Sequence, residues 1–92
     1  MIIGVVIGNV WATKKEDKLQ GLKLMVVQRI DPADGARHES LVAADRVGAG
    51  IGEQVLVVTG STARKALSRD DDIPMDAAIV GILDEIELTR GL

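Results

Sequence analysis

The chain has 92 residues with no cysteine, one histidine, one aromatic residue and a formal net charge of −3. These numbers exclude disulfides and thiolate metal sites, leave His38 too few partners for a nitrogen-rich metal site, and argue against a nucleic-acid binder that must neutralise phosphates. One domain over 1–92 is expected; a chain this small buries only about 60–65% of the surface its unfolded form exposes, so association with further copies is the expected supplement to its core.

Apolar residues make up 47% of the chain, so the core must come from Val, Ile, Leu, Ala and Met. No stretch reaches the ~18 apolar residues of a membrane span, and the start "MIIGVVIGNV" has no basic leader before it. The expectation is a cytosolic protein with neither a membrane nor a nucleic-acid partner.

Ile2 to Thr13, "IIGVVIGNVWAT", reads as a first strand. Gly4 and Gly8 inside it predict bends or the close backbone approach of a tight barrel. The polar "KKEDKLQG" turns the chain into a second strand, Leu22 to Ile30, with Leu22, Leu24 and Val26 on one face. "DPADG" (Asp31 to Gly35) is a turn, because proline presets φ and Asp-Gly tolerates positive φ. His38 reads as an exposed loop residue, and a third strand around Glu39 to Ala44 ends at Asp45.

Gln54 to Thr59, "QVLVVT", is a fourth strand, apolar on both faces and therefore buried. Ser61 reads as the N-cap of a short helix, "TARKAL", which needs packing support to hold. "SRDDDIPMD" is a loop, and Ala77 to Leu88 reads as the last strand. Periodicity alone leaves a helix open over 79–88, but β-branched Ile79, Val80 and Ile82 with Gly81 mid-run favour a strand. The tail "TRGL" reads as frayed. The prediction is an all-β fold, a small closed five-stranded barrel with one short helix, since closure removes exposed edges.

Chemistry is sparse. The cluster Gly48-Ala-Gly50-Ile-Gly52-Glu53 puts glutamate where a dinucleotide fingerprint needs its third glycine, and a strand follows it instead of a helix. Its glycines therefore serve shape, with a positive φ expected at Gly50. In "GSTAR", Gly60 and Ser61 at a helix start with Arg64 one turn later offer a weak carboxylate or sulfate site. The favoured reading is instead that Ser61 caps the helix and Arg64 pairs with an acidic partner.

Asp70, Asp71 and Asp72 lack the spacing of a calcium loop and read as a solvated turn. Glu85 and Glu87 share one strand face, with Asp84 opposite, as on a wet barrel exterior. Ser61, His38 and an aspartate have none of the orienting context of a catalytic triad. No catalytic, cofactor or metal site is expected. Trp11, the one large aromatic, is too little for base stacking and reads as a core plug or a subunit-interface anchor.

Four segments then stand in register: "GNVWATKK" (Gly8 to Lys15), "LQGLKLMVV" (Leu19 to Val27), "ADRVGAGIGEQVLVVTGSTAR" (Ala44 to Arg64) and "IPMDAAIVGILDEIE" (Ile73 to Glu87). Together they resemble the pentameric vertex proteins of bacterial microcompartment shells, the carboxysome and EutN/CcmL type. The resemblance implies an OB-like β-barrel without nucleic-acid function, in the shell of a compartment of the bacterial cytoplasm. It implies a homopentamer built by head-to-tail contacts, with hexameric shell-tile proteins as neighbours. The helix falls between the fourth and fifth strands, whereas the usual OB fold places it between the third and fourth.

On this resemblance Gly48, Ala49, Gly50, Ile51, Gly52 and Glu53 are expected near the five-fold axis. Trp11, Lys14, Ser61, Arg64 and Asp76 match family positions and are candidates for subunit contacts or barrel packing, Arg64 for a charge-assisted contact across the ring. The alternative is a free barrel that binds a small ligand or an oligonucleotide at the glycine loop.

Overall fold

The short β-branched segments form five strands, as their period-two patterning dictates. The computed structural model describes residues 1–67 and 73–89. β1 (Ile2–Val10), β2 (Lys23–Ile30), β3 (Arg37–Asp45), β4 (Gln54–Thr59) and β5 (Ala77–Ile82) close into a barrel of order β1-β2-β3-β5-β4. Every neighbouring pair is antiparallel except β3 and β5, which meet in parallel at Ala44↔Ala78 and Asp45↔Ile79. The helix α1 (Gly60–Leu67) sits between β4 and β5, so the barrel is OB-like with its helix displaced by one connection.

Alternation sorts the apolar residues into two layers. Val6, Met25, Val27, Val55, Val57 and Ile79 fill the barrel interior. Their strand neighbours Leu24, Ala44, Val58 and Ala78 point outward and are covered by Ala63 and Leu67 of α1 together with Ile73. Burying a side chain such as Leu67 contributes about 1.5–3 kcal/mol, which is how an eight-residue helix too short to persist alone is held. Gly60, at φ +66°, makes the corner from β4 into α1, and its N–H donates to the Asp76 carbonyl at 2.8 Å. At the other end Arg46 Nη1 donates to the Leu67 carbonyl at 2.6 Å, supplying a partner that the last helical turn lacks.

Two strand glycines have different reasons. A Cβ on Gly4 would meet Val27 Cγ1 and come within 2.8 Å of the Gln28 carbonyl oxygen, so β1 and β2 approach closely there. Gly8 has open space around it and stands at a register shift that bulges Ile7 out of the β1–β2 ladder. The "DPADG" turn forms as expected: Asp31 N–H donates to the Ala36 carbonyl at 2.8 Å, and Gly35 takes φ +73°.

Several element ends differ from the sequence reading. β1 stops at Val10, not at Thr13, and β3 runs from Arg37, so the exposed His38 lies on a strand. α1 begins at Gly60, which puts Ser61 in the first turn and not at the cap. β5 ends at Ile82, because its antiparallel partner β4 begins at Gln54 and offers one last acceptor, the Gln54 carbonyl, to Leu83 N–H at 2.8 Å. Residues 83–88 therefore leave the barrel, and Asp84, Glu85 and Glu87 are not on its wall. The aspartate triplet at 70–72 and the last residues, 90–92, fall outside the described residues.

Candidate assembly surfaces

The glycine loop is built around Asp45, a residue that the sequence reading treated only as a strand end. Its register on β3 opposite Lys23 of β2 places a buried carboxylate (7% exposed) beneath the loop. Asp45 Oδ1 accepts from Val47 N–H at 3.0 Å and Gly48 N–H at 3.1 Å, and Oδ2 accepts from Ala49 N–H at 2.8 Å. Lys23 Nζ lies 3.4 Å from Oδ2 and donates to the Ala49 carbonyl at 2.9 Å. Successive N–H groups aimed at one point form a concavity for an anion; here the chain's own carboxylate occupies it, and no phosphate cradle is left open.

Positive φ falls at Gly48 (+85°) and Gly52 (+91°). Gly50 does not have it, which corrects the expectation placed there. Gly50 instead donates its N–H to Glu53 Oε1 at 2.7 Å, while Glu53 N–H returns a bond to the Gly50 carbonyl at 3.1 Å. The loop is stitched to β1 by Gly52 N–H to the Val6 carbonyl at 2.8 Å and Val6 N–H to the Glu53 carbonyl at 3.0 Å. Ala49 plugs the interior, whereas Val47 and Ile51 are exposed.

Two apolar bands remain open on the barrel exterior. The first crosses β1, β2 and β3 through the bulged Ile7, Val26 and Val42, with Val26 paired to both Gly8 and Val42. It adjoins the outer layer under α1 but none of the described residues covers it, and Ile7 and Val42 are 43% and 41% exposed. The second crosses β1, β4 and β5 through Ile3, Leu56 and Gly81. A register shift at Leu56/Val57 bulges Val80 outward there, leaving it 38% exposed. Glycine marks both places in the sequence, Gly8 and Gly81, but only the pairing registers show that Ile7 and Val80 are the residues pushed outward.

The other sequence-derived candidates fall into two groups. Trp11 and Lys14 lie on the β1–β2 connection, both exposed, and Trp11 at 90% exposure is no core plug. Ser61 and Asp76 are exposed and Arg64 half-buried, brought near one another by the bond between Gly60 and Asp76. Arg64 has no ion pair among the described residues, so the expected acidic partner is not supplied within the described chain. Both groups border the same outer apolar layer, where Val10, Leu19 and Leu22 pack beside Ala63 and Leu67. Among the described residues no cluster of acidic or histidine side chains is placed to hold a metal ion, and no helix is long and apolar enough to cross a membrane.

Along the β2–β3 hairpin, Arg29 Nη1 pairs with Glu39 Oε1 at 3.2 Å. The Glu39 carboxyl is held below the usual glutamate value, first by a hydrogen bond from its own backbone and then by Arg29. Both side chains are more than half exposed, so the pair steadies the hairpin only weakly.

Among the described residues the barrel has a self-filled anion site and two exposed apolar bands, the features of a module that associates with others. Residues 1–84 match the family described as "Ethanolamine utilisation protein EutN/carboxysome". The chain belongs to this EutN/CcmL family. It is 47% identical over 89 residues, 96% of this chain and 88% of the relative, to the carboxysome shell vertex protein CcmL of Synechococcus elongatus. To the microcompartment shell vertex protein EutN of Escherichia coli K12 it is 40% identical over 86 residues, 94% of this chain and 90% of the relative. Among solved structures, the pentameric microcompartment shell protein GrpN from Rhodospirillum rubrum superposes with a TM-score of 0.86 at 42% identity, covering 97% of this chain and 100% of that one.

Proposed function

We propose that this protein is a structural shell component of a bacterial microcompartment, not an enzyme, and that five copies close into a ring at each shell vertex. The observation that carries the reading is the pair of uncovered apolar bands on different halves of one barrel. A cyclic ring forms by heterologous contact, so each copy needs two unlike surfaces that fit each other. Exposed apolar bands of this kind mark association surfaces, and association stabilises a chain this small by mass action.

The geometric task follows. A flat net of hexagonal tiles cannot close without pentagons, and a five-fold unit bordered by hexameric shell tiles supplies the curvature. Within the ring, residues 48–53 are assigned to the neighbourhood of the five-fold axis, where a loop with few side chains lets backbones crowd together. Trp11, Lys14, Ser61, Arg64 and Asp76 are assigned to contacts between copies, Arg64 to an acidic group of a neighbour. The site of action is the shell, in the bacterial cytoplasm. The rival reading, a free anion- or oligonucleotide-binding barrel, is disfavoured because Asp45 already occupies the loop's N–H groups.

Native mass spectrometry tests the ring directly. Five chains of 9.8 kDa give a species of about 49 kDa, as cyclic closure requires. A protein that stays near the single-chain mass at tens of micromolar overturns the proposal.

A further inference from the structure

A groove of about 180 Å³ opens where β1 leaves the barrel, lined by Val10, Trp11, Ala12 and Leu22 with Lys15 and Lys23. Of its two lysines, Lys23 is already engaged, lying 3.4 Å from Asp45 Oδ2 and donating to the Ala49 carbonyl, so Lys15 is the cation left at the groove, with Lys14 preceding it in the chain. Lys14 and Lys15 have no ion-pair partner among the described residues. Elsewhere on the chain, "LDEIEL" (Leu83 to Leu88) runs past the end of β5 without regular structure. In an extended chain Glu85 and Glu87 face one way and Ile86 and Leu88 the other. Leu88 is 55% exposed, and Asp84, Glu85 and Glu87 are likewise unpaired among the described residues.

We infer that residues 83–88 of one copy form a strap that lies in the Trp11 groove of the next copy, with Leu88 against Trp11 and the acidic groups against Lys14 and Lys15. The inference rests on the ring reading and names the contact that closes it. Three observations select a second copy as the occupant. Apolar and charged groups complement each other in kind, acidic on the strap and basic at Lys15 of the groove and at Lys14 next to it. None of residues 83–88 lines the groove of its own chain. Six extended residues span about 20 Å, close to the 24 × 21 Å cross-section of the molecule, so a strap reaches one barrel further along. Each copy then gives one strap and receives one, as heterologous closure demands.

The cysteine-free chain allows a direct test. Ala12→Cys combined with Leu88→Cys supplies the only two thiols, and mild oxidation of assembled protein is expected to yield a denaturing-gel ladder of up to five linked chains. Rings of about 49 kDa that give no ladder, or that give only a faster-migrating single chain with an internal disulfide, overturn the strap while the ring reading stands. A second measurement uses charge. Lys14→Glu with Lys15→Glu is expected to raise the half-assembly concentration at least tenfold, and adding Glu85→Lys with Glu87→Lys to the same chain is expected to restore it. Assembly indifferent to both changes overturns the strap. An unaltered protein that remains a single chain overturns the ring reading first, and the strap with it.

Discussion

Gly48 and Gly52 are held at φ +85° and +91°, where a side chain costs about 1–2 kcal/mol even with open space around it. No atom lies within 4 Å of a Cβ built on either, so the cost is conformational and not a clash. Gly50 differs: its Cβ would meet only Glu53 Oε1, at 3.2 Å, and its φ is ordinary. Gly52→Val is therefore expected to lower unfolding stability in urea by about 2 kcal/mol, and Gly50→Ala by less than half of that. Equal losses at the two positions would show that the loop's path is not what selects glycine. In the sequence the three glycines look equivalent, because alternation with Ala49 and Ile51 says nothing about which peptide turns. Asp45 was equally hidden, since its role depends on the register that brings Lys23 opposite. An aspartate directly before a glycine-rich turn is the signal that was available for it.

At the scale of the element, the strands were legible where they are buried on both faces and blurred where they run out into solvent. β4 lies where its apolar run predicted, and both ends of that run are set by hydrogen-bonded neighbours. β5 is six residues shorter than its sequence pattern suggests, because "LDEIEL" continues a strand-like alternation that only the start of β4 at Gln54 cuts off. The helix holds through packing support, as its sequence predicts, but Ser61 is not its cap, because Gly60 turns the corner one residue earlier. Gly4 illustrates the opposite case, a sequence expectation with a visible cause. Gly4→Ala drives a methyl group into Val27 and the Gln28 carbonyl. Overpacking of this kind is expected to cost about 1–3 kcal/mol, read as a lowered Tm with the β1–β2 pairing perturbed. A variant as stable as the parent would mean the strands part easily there.

For the whole molecule, fold class and association were readable early, one from the spacing of short β-branched runs and the other from a chain too small to be comfortable alone. The surfaces were not, because a strand glycine such as Gly8 or Gly81 announces a bend, while which neighbour is pushed outward depends on the register of two paired strands. The two bands make a sharp expectation. Val42→Lys and Val80→Lys each place a charge on an exposed band, so the isolated fold should keep its stability within about 0.5 kcal/mol. Ring formation should nevertheless weaken at least tenfold in sedimentation at low protein concentration, with Arg64→Ala weakening it as well. If rings tolerate both valine changes, the bands face solvent in the assembly and the contact lies elsewhere.

The carboxylate under the glycine loop has a consequence for the shell as a material. A corner piece that carries its own counterion does not wait for one from the surrounding fluid. The loop therefore takes the same shape in phosphate-rich and phosphate-poor surroundings, its form written into the polypeptide and not borrowed from the solution that bathes it.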